Sequence, residues 1–244
     1  MLNVIVTGGS RGLGLATAKL LAESGYRVIA AARSEGNQLP AAMEEIEAKK
    51  TGALCFAPID LSNIDDIPDF VTAIRREYGE IYGLVNNAGL GTHGVLANMY
   101  NSQIKELVQL NTLAPIILSK FVVRSMLTSG NGRIVNIASI VSSTGFSGLS
   151  VYAATKAAMI GFTRSLAREV GRLGITVNAI APGFIETEMT QSLSEADKKR
   201  VANRSALHRL AEPKDVAEAI KFLMGESGRN ITGTVLTVDA GSTA

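Results

Sequence analysis

The chain has no tryptophan, one cysteine, two histidines and six prolines among its 244 residues. A lone cysteine, Cys55, cannot close an intrachain disulfide, which fits a reducing compartment and excludes a thiolate-built metal site. Cys55 reads instead as a small buried hydrophobe on a strand. His93 and His208 are far apart and lack helical ligand spacing, so metal-free chemistry is expected. An excess of one charge is also missing: 24 Lys and Arg stand against 22 Asp and Glu, a net charge of +2. With no basic cluster, no nucleic-acid partner is expected. Long apolar runs are absent too, since the stretch 113–127 is interrupted by Lys120 and Arg124, and Met1–Thr7 has no basic n-region. The expectation is a soluble, cytoplasmic protein without a membrane partner.

What is present is ample core-forming material. The chain is 46% hydrophobic and 19% charged with a mean hydropathy of +0.21, enough for one large domain over residues 1–244. Short β-branched or apolar runs recur at Leu2–Thr7, Arg27–Ala31, Ala53–Ile59, Ile81–Asn86, Arg133–Ala138, Thr176–Ala181 and Val235–Val238, separated by longer amphipathic segments. Strands too apolar to leave one face in water, alternating with helices, specify a doubly wound α/β fold of about seven parallel strands. The polar stretch 184–211 is long for a connection and reads as a substrate lid, or alternatively as a surface helix that simply packs.

In open parallel sheets ligands bind beyond the carboxyl ends of the strands. Here those ends are rich in glycine and small polar residues: Gly8-Gly9-Ser10-Arg11-Gly12-Leu13-Gly14, Asn87-Ala88-Gly89, Ser139 and Pro182-Gly183. Glycines between a strand and a helix let backbone N–H groups approach a pyrophosphate at the positive helix N-terminus, although the same loop could be only a tight turn. After the second strand the sequence is Ala31-Ala32-Arg33-Ser34, with no carboxylate for a ribose 2′-hydroxyl. Arg33 and Arg11 could instead grip a 2′-phosphate, which favours NADP(H) over NAD(H); the alternative is two solvated arginines. Of five tyrosines only Tyr152 has a lysine at i+4, Lys156, and the spacing puts both on one helix face. A neighbouring ammonium is expected to lower the phenol's pKa toward working pH, making Tyr152 a general acid for a developing alkoxide. Ser139 could polarise the same carbonyl or merely cap its strand. A long helix over roughly Gln103–Leu127 contains Pro115, whose missing N–H leaves the Asn111 carbonyl without its i+4 donor and free to hold a water connecting Lys156 to solvent.

Taken together, Thr7–Gly14, Asn86-Asn87-Ala88-Gly89, Asn111, Ser139, Tyr152, Lys156 and Pro182-Gly183 resemble the short-chain dehydrogenase/reductases over the whole chain. The resemblance implies a Rossmann-type fold with Asn111, Ser139, Tyr152 and Lys156 as a catalytic tetrad, Lys156 also meeting the nicotinamide ribose. It implies cofactor contacts from Asn87, Ala88 and Gly89, from Asp60 and Leu61 at the adenine, and from Pro182, Gly183, Ile185 and Thr187 at the nicotinamide. It also implies a homotetramer, in keeping with the small outer face of the helix carrying Tyr152. Within the family, Pro182–Thr190 and Ser165–Val170 look most like the 3-oxoacyl-[acyl-carrier-protein] reductases. The chain departs from them at Leu90-Gly91, where an Arg-Asp pair is usual, in the uncharged loop Thr128–Gly132, and in the tail Val238–Ala244. The leading expectation is therefore NADPH-dependent reduction of a 3-oxoacyl thioester. The alternatives are a reductase or dehydrogenase of a small ketone, quinone or polyol, and a non-catalytic assembly subunit.

Overall fold

A computed structural model describes residues 1–185 and 195–244. The predicted strands all form, within a residue or two of their expected ends: β1 (Asn3–Thr7), β2 (Arg27–Ala32), β3 (Ala53–Pro58), β4 (Ile81–Asn86), β5 (Gly132–Ile137), β6 (Ile175–Pro182) and β7 (Val235–Val238). They make one parallel sheet in the order β3-β2-β1-β4-β5-β6-β7. Every residue of β1, β4, β5 and β6 is buried, as expected when a sheet is covered on both faces.

Helices α1 (Gly12–Glu23), α2 (Leu39–Lys49) and α9 (Pro213–Met224) supply Leu21, Ile46 and Ile220 to the core on one face. On the other face, α3 (Ile67–Tyr78), α5 (Ala114–Ser129) and α7 (Ser150–Val170) supply Val71, Leu118 and Leu166. Between them run α4 (Asn101–Val108), the short α6 (Val141–Thr144) and α8 (Glu195–Arg204). Because β1 pairs with β2 on one side and β4 on the other, the connections diverge there and open a crevice at the carboxyl ends of these strands.

Two expectations require correction or restriction. The long kinked helix is instead three pieces, with a π-helical turn at Gln109–Leu113 between α4 and α5. Pro115 cannot donate to the carbonyl of residue 111, and the turn just before the proline is widened. The whole run Asn101–Ser129 is long and apolar enough to cross a membrane by length and composition, yet Leu107, Leu118, Val122 and Met126 are fully buried in the core. Residues 186–194 of the expected lid, Thr187 among them, lie outside the described residues. The described flanks meet in a parallel bridge between Ile185 and Ala211.

Candidate active site

The glycine loop is shaped by close packing. Gly8 and Gly12 adopt left-handed φ values of 65° and 53°, which suit residues without a Cβ. A Cβ on Gly14 would lie 2.0 Å from the Gly8 carbonyl oxygen, and one on Gly9 would lie 2.9 Å from Ala30, so strand, loop and helix can meet only as glycines. Beside Gly12 nothing lies within 4 Å of where a Cβ would stand. Arg11 is the N-cap of α1, and its side chain makes no capping bond to the first turn. A backbone cradle at a helix N-terminus, open at Gly12, fits a dinucleotide pyrophosphate.

Thr7 holds this loop to the neighbouring strand. Its hydroxyl accepts the backbone N–H groups of Asn87 and Ala88, each at 2.9 Å, and Asn87 Nδ2 donates to the Thr7 carbonyl at 2.8 Å. Asn87 thus pins the loop with its own side chain, whereas Ala88 is half-buried against the core and Gly89 is half-buried beside the Asn111 and Lys156 side chains. Asn86 turns inward and is buried, away from the crevice its segment was expected to line. Arg33 is exposed just past β2 and lies close enough to Asp60 to favour its charged form. Bonds from the Ser62 hydroxyl and N–H lower the Asp60 pKa further, and more strongly. The arginine and the aspartate therefore share one corner, with Leu61 buried behind it.

At the far end of the crevice four segments converge. Ser139 follows β5, and its hydroxyl lies close enough to the Tyr152 phenol to lower that phenol's pKa. The Tyr152 ring packs against Ile140, Val141 and Leu149. The Ile140 N–H donates to the Pro182 carbonyl at 3.0 Å and the Gly183 N–H to Val238 at 2.9 Å, which ties the Ser139 loop to the Pro182-Gly183 turn. Asn111, 1% exposed, accepts the Leu90 N–H at 2.8 Å and donates to the Leu90 carbonyl at 2.9 Å and to Thr155 Oγ1 at 3.2 Å. Lys156 is 5% exposed, with Nζ donating to the Ile137 carbonyl at 2.8 Å and standing 5.8 Å from the Tyr152 ring centroid. Ile185 is 7% exposed and packs into the core with β6, so its side chain backs the turn.

The electrostatics differ from expectation in one respect. The Tyr152 phenol is pushed above its ordinary pKa of 10.0 because burial disfavours phenolate, and the nearby Ser139 hydroxyl offsets this only in part. Burial likewise disfavours the ammonium of Lys156 and lowers its pKa to about 8. The expected lowering at Tyr152 therefore fails here: both groups lose water, the ammonium spends its bond on Ile137, and the phenol stays protonated. Thr7, Thr155 and the Asn86 network were missed by sequence reasoning. Only Thr7, next to the glycine run, carried a signal.

The comparisons agree with this geometry. The model of the short chain dehydrogenase family matches residues 2–198. A 3-oxoacyl-[acyl-carrier-protein] reductase FabG of Vibrio harveyi is 40% identical over 97% of this chain and 95% of its own length. Its Escherichia coli counterpart is 39% identical over the same shares. A crystal structure of a short chain dehydrogenase from Burkholderia cenocepacia in complex with NADP superposes with a TM-score of 0.90 at 34% identity, covering 100% of this chain and 98% of that one. With a seven-stranded parallel sheet, a glycine cradle at the first turn and Ser139, Tyr152 and Lys156 gathered at the strand ends, the chain belongs to the short-chain dehydrogenase family.

Proposed function

We propose that this chain is an NADPH-dependent ketone reductase acting on 3-oxoacyl thioesters, with Asn111, Ser139, Tyr152 and Lys156 as its catalytic set. The observation that carries the reading is the gathering of Ser139, Tyr152 and Lys156 at one end of a crevice whose other end is the glycine cradle. When bound, the reduced nicotinamide supplies hydride to the carbonyl carbon. Every other task falls to the protein. Gly8, Ser10, Gly12, Leu13 and Gly14 would hold the pyrophosphate, and Arg11 and Arg33 the 2′-phosphate, while Asp60 and Leu61 would border the adenine. Ala88, Gly89, Pro182, Gly183, Ile185 and Thr187 would line the nicotinamide half. Ser139 donates to the substrate oxygen and orients it toward Tyr152. Tyr152, kept protonated by burial, gives its proton as negative charge grows on that oxygen. Lys156 supplies the compensating charge, and the wide turn at Asn111 offers a backbone oxygen for a water that restores the proton.

The carrier-bound substrate is supported by the names of the relatives, and a cytoplasmic location fits the lone cysteine. The outer face of α7 exposes Ala154, Ala157, Ala158 and Gly161, a flat surface suited to another helix, which supports the homotetramer. Following NADPH and NADH oxidation with acetoacetyl thioesters beside simple ketones and quinones tests the reading. Turnover of the thioester with NADPH is expected; turnover confined to simple ketones or quinones would favour the second reading, which the uncharged loop Thr128–Gly132 supports.

A further inference from the structure

Beneath the site, on the sheet face covered by α5 and α7, runs a buried polar chain that none of these steps uses. Asn86 Nδ2, at the end of β4, donates to Asn136 Oδ1 on β5 at 2.8 Å and to Ser119 Oγ on α5 at 3.0 Å. Asn136 Nδ2 in turn donates to Thr163 Oγ1 on α7 at 2.8 Å. Ser119, Asn136 and Thr163 have no solvent exposure, and Asn86 has 5%. The chain even leaves one buried acceptor, Asn86 Oδ1, without a partner. Neighbouring inward positions on the same two strands are Leu84 and Ile134. Packing alone would be served by apolar residues of similar volume, with no polar atom left unsatisfied.

Hydrogen bonds add directionality. Apolar faces of a helix and a sheet tolerate sliding, whereas a donor and acceptor at 2.8 Å fix one register. Thr163 lies seven residues, two helical turns, beyond Lys156, so both point at the same strip of sheet. Thr163 is held by Asn136, and Lys156 by the carbonyl of the next residue, Ile137. Helix α7 is therefore fastened to β5 at two points two turns apart. Ser139 sits two residues farther along the same chain, so the meeting of its hydroxyl with the Tyr152 phenol depends on that register. Ser119 fastens α5 to β4 in the same way, and α5 follows the wide turn bearing Asn111.

We propose that Asn136 and Thr163, backed by Asn86 and Ser119, are positioning residues that set the axial register of α7 on β5 and so deliver Tyr152 and Lys156 to Ser139. The inference rests on the catalytic reading of Tyr152 and Lys156 given above. Thr163→Val keeps the side-chain shape and removes the acceptor. With acetoacetyl thioester and NADPH, kcat is expected to fall about tenfold or more, because a displacement near 1 Å can cost about a hundredfold. The KM for the thioester and the dissociation constant for NADPH, read by its fluorescence, stay within about twofold, and Thr163→Ser restores most of kcat. An unchanged kcat in Thr163→Val overturns the proposal, as does a loss seen only in KM or an equal loss in Thr163→Ser. Should Thr163→Val fail to fold, Ser119→Ala carries the same readouts, with about a threefold fall in kcat expected and no fall overturning it. Tyr152→Phe runs alongside. Full turnover there removes the catalytic reading and this inference with it, whereas an inactive Tyr152→Phe beside a fully active Thr163→Val removes the positioning role alone.

Discussion

Lys156 has the largest cost of burial in the site, and replacing it separates stability from activity. Burial lowers its pKa from 10.5 to about 8, which corresponds to about 3 kcal/mol against the charged form in the folded protein. Its bond to the Ile137 carbonyl returns about 1 kcal/mol. Lys156→Met keeps the length of the side chain and removes the charge, so at pH 7 it is expected to stabilise the fold by roughly 2 kcal/mol. For a domain of this size that is a rise in Tm of about 4–8 °C. The sign has a pH signature. Because the folded pKa is depressed, the unfolded chain binds the extra proton between about pH 8 and 10.5, so wild-type stability gains as pH rises through that window. The advantage of the variant should therefore be full at pH 7 and vanish by about pH 10.5. Urea unfolding of both proteins at matched concentration and several pH values measures the gap, with ketone reduction lost throughout. A Lys156→Met protein less stable than wild type at pH 7, or a gap that does not change with pH, would refute the argument that desolvation dominates at this residue.

Other outcomes follow from the same geometry. Tyr152→Phe is expected to lower kcat by about 10²- to 10⁴-fold with NADPH fluorescence binding retained. Arg33→Ala is expected to raise the KM for NADPH roughly tenfold and leave that for NADH unchanged, since only a 2′-phosphate engages the guanidinium. Gly14→Ala drives a Cβ to 2.0 Å from the Gly8 carbonyl, so a loss of about 1–3 kcal/mol in thermal unfolding together with loss of cofactor binding is expected. Gly12→Ala, by contrast, meets no protein atom, so its stability cost should be only backbone strain of about 1–2 kcal/mol at its positive φ, while its Cβ enters the opening of the cradle and weakens cofactor binding. Ala158→Arg places a charge on the exposed face of α7, and size-exclusion at several concentrations should show a shift to smaller species if that face joins subunits.

The amino-acid sequence alone determined the strands, because runs such as Asn3–Thr7 and Ile81–Asn86 are apolar on both faces and can be buried only inside a covered parallel sheet. It also determined which residues stand at the strand ends, and with them Ser139, Tyr152 and the glycine loop, since local spacing suffices to place side chains on one edge or one helix face. Tertiary structure decided whatever depends on partners distant in the chain. Asn86 belongs to a core network rather than to the crevice because Asn136, 50 residues away, accepts its bond there and is itself held by Thr163. Asn111 reaches Leu90 and Thr155 through a π turn that a helical pattern does not encode. The direction of the Tyr152 and Lys156 pKa shifts was likewise a tertiary outcome: i+4 spacing brings the two groups together, but the depth at which α7 sits on β5 determines how much water each one loses.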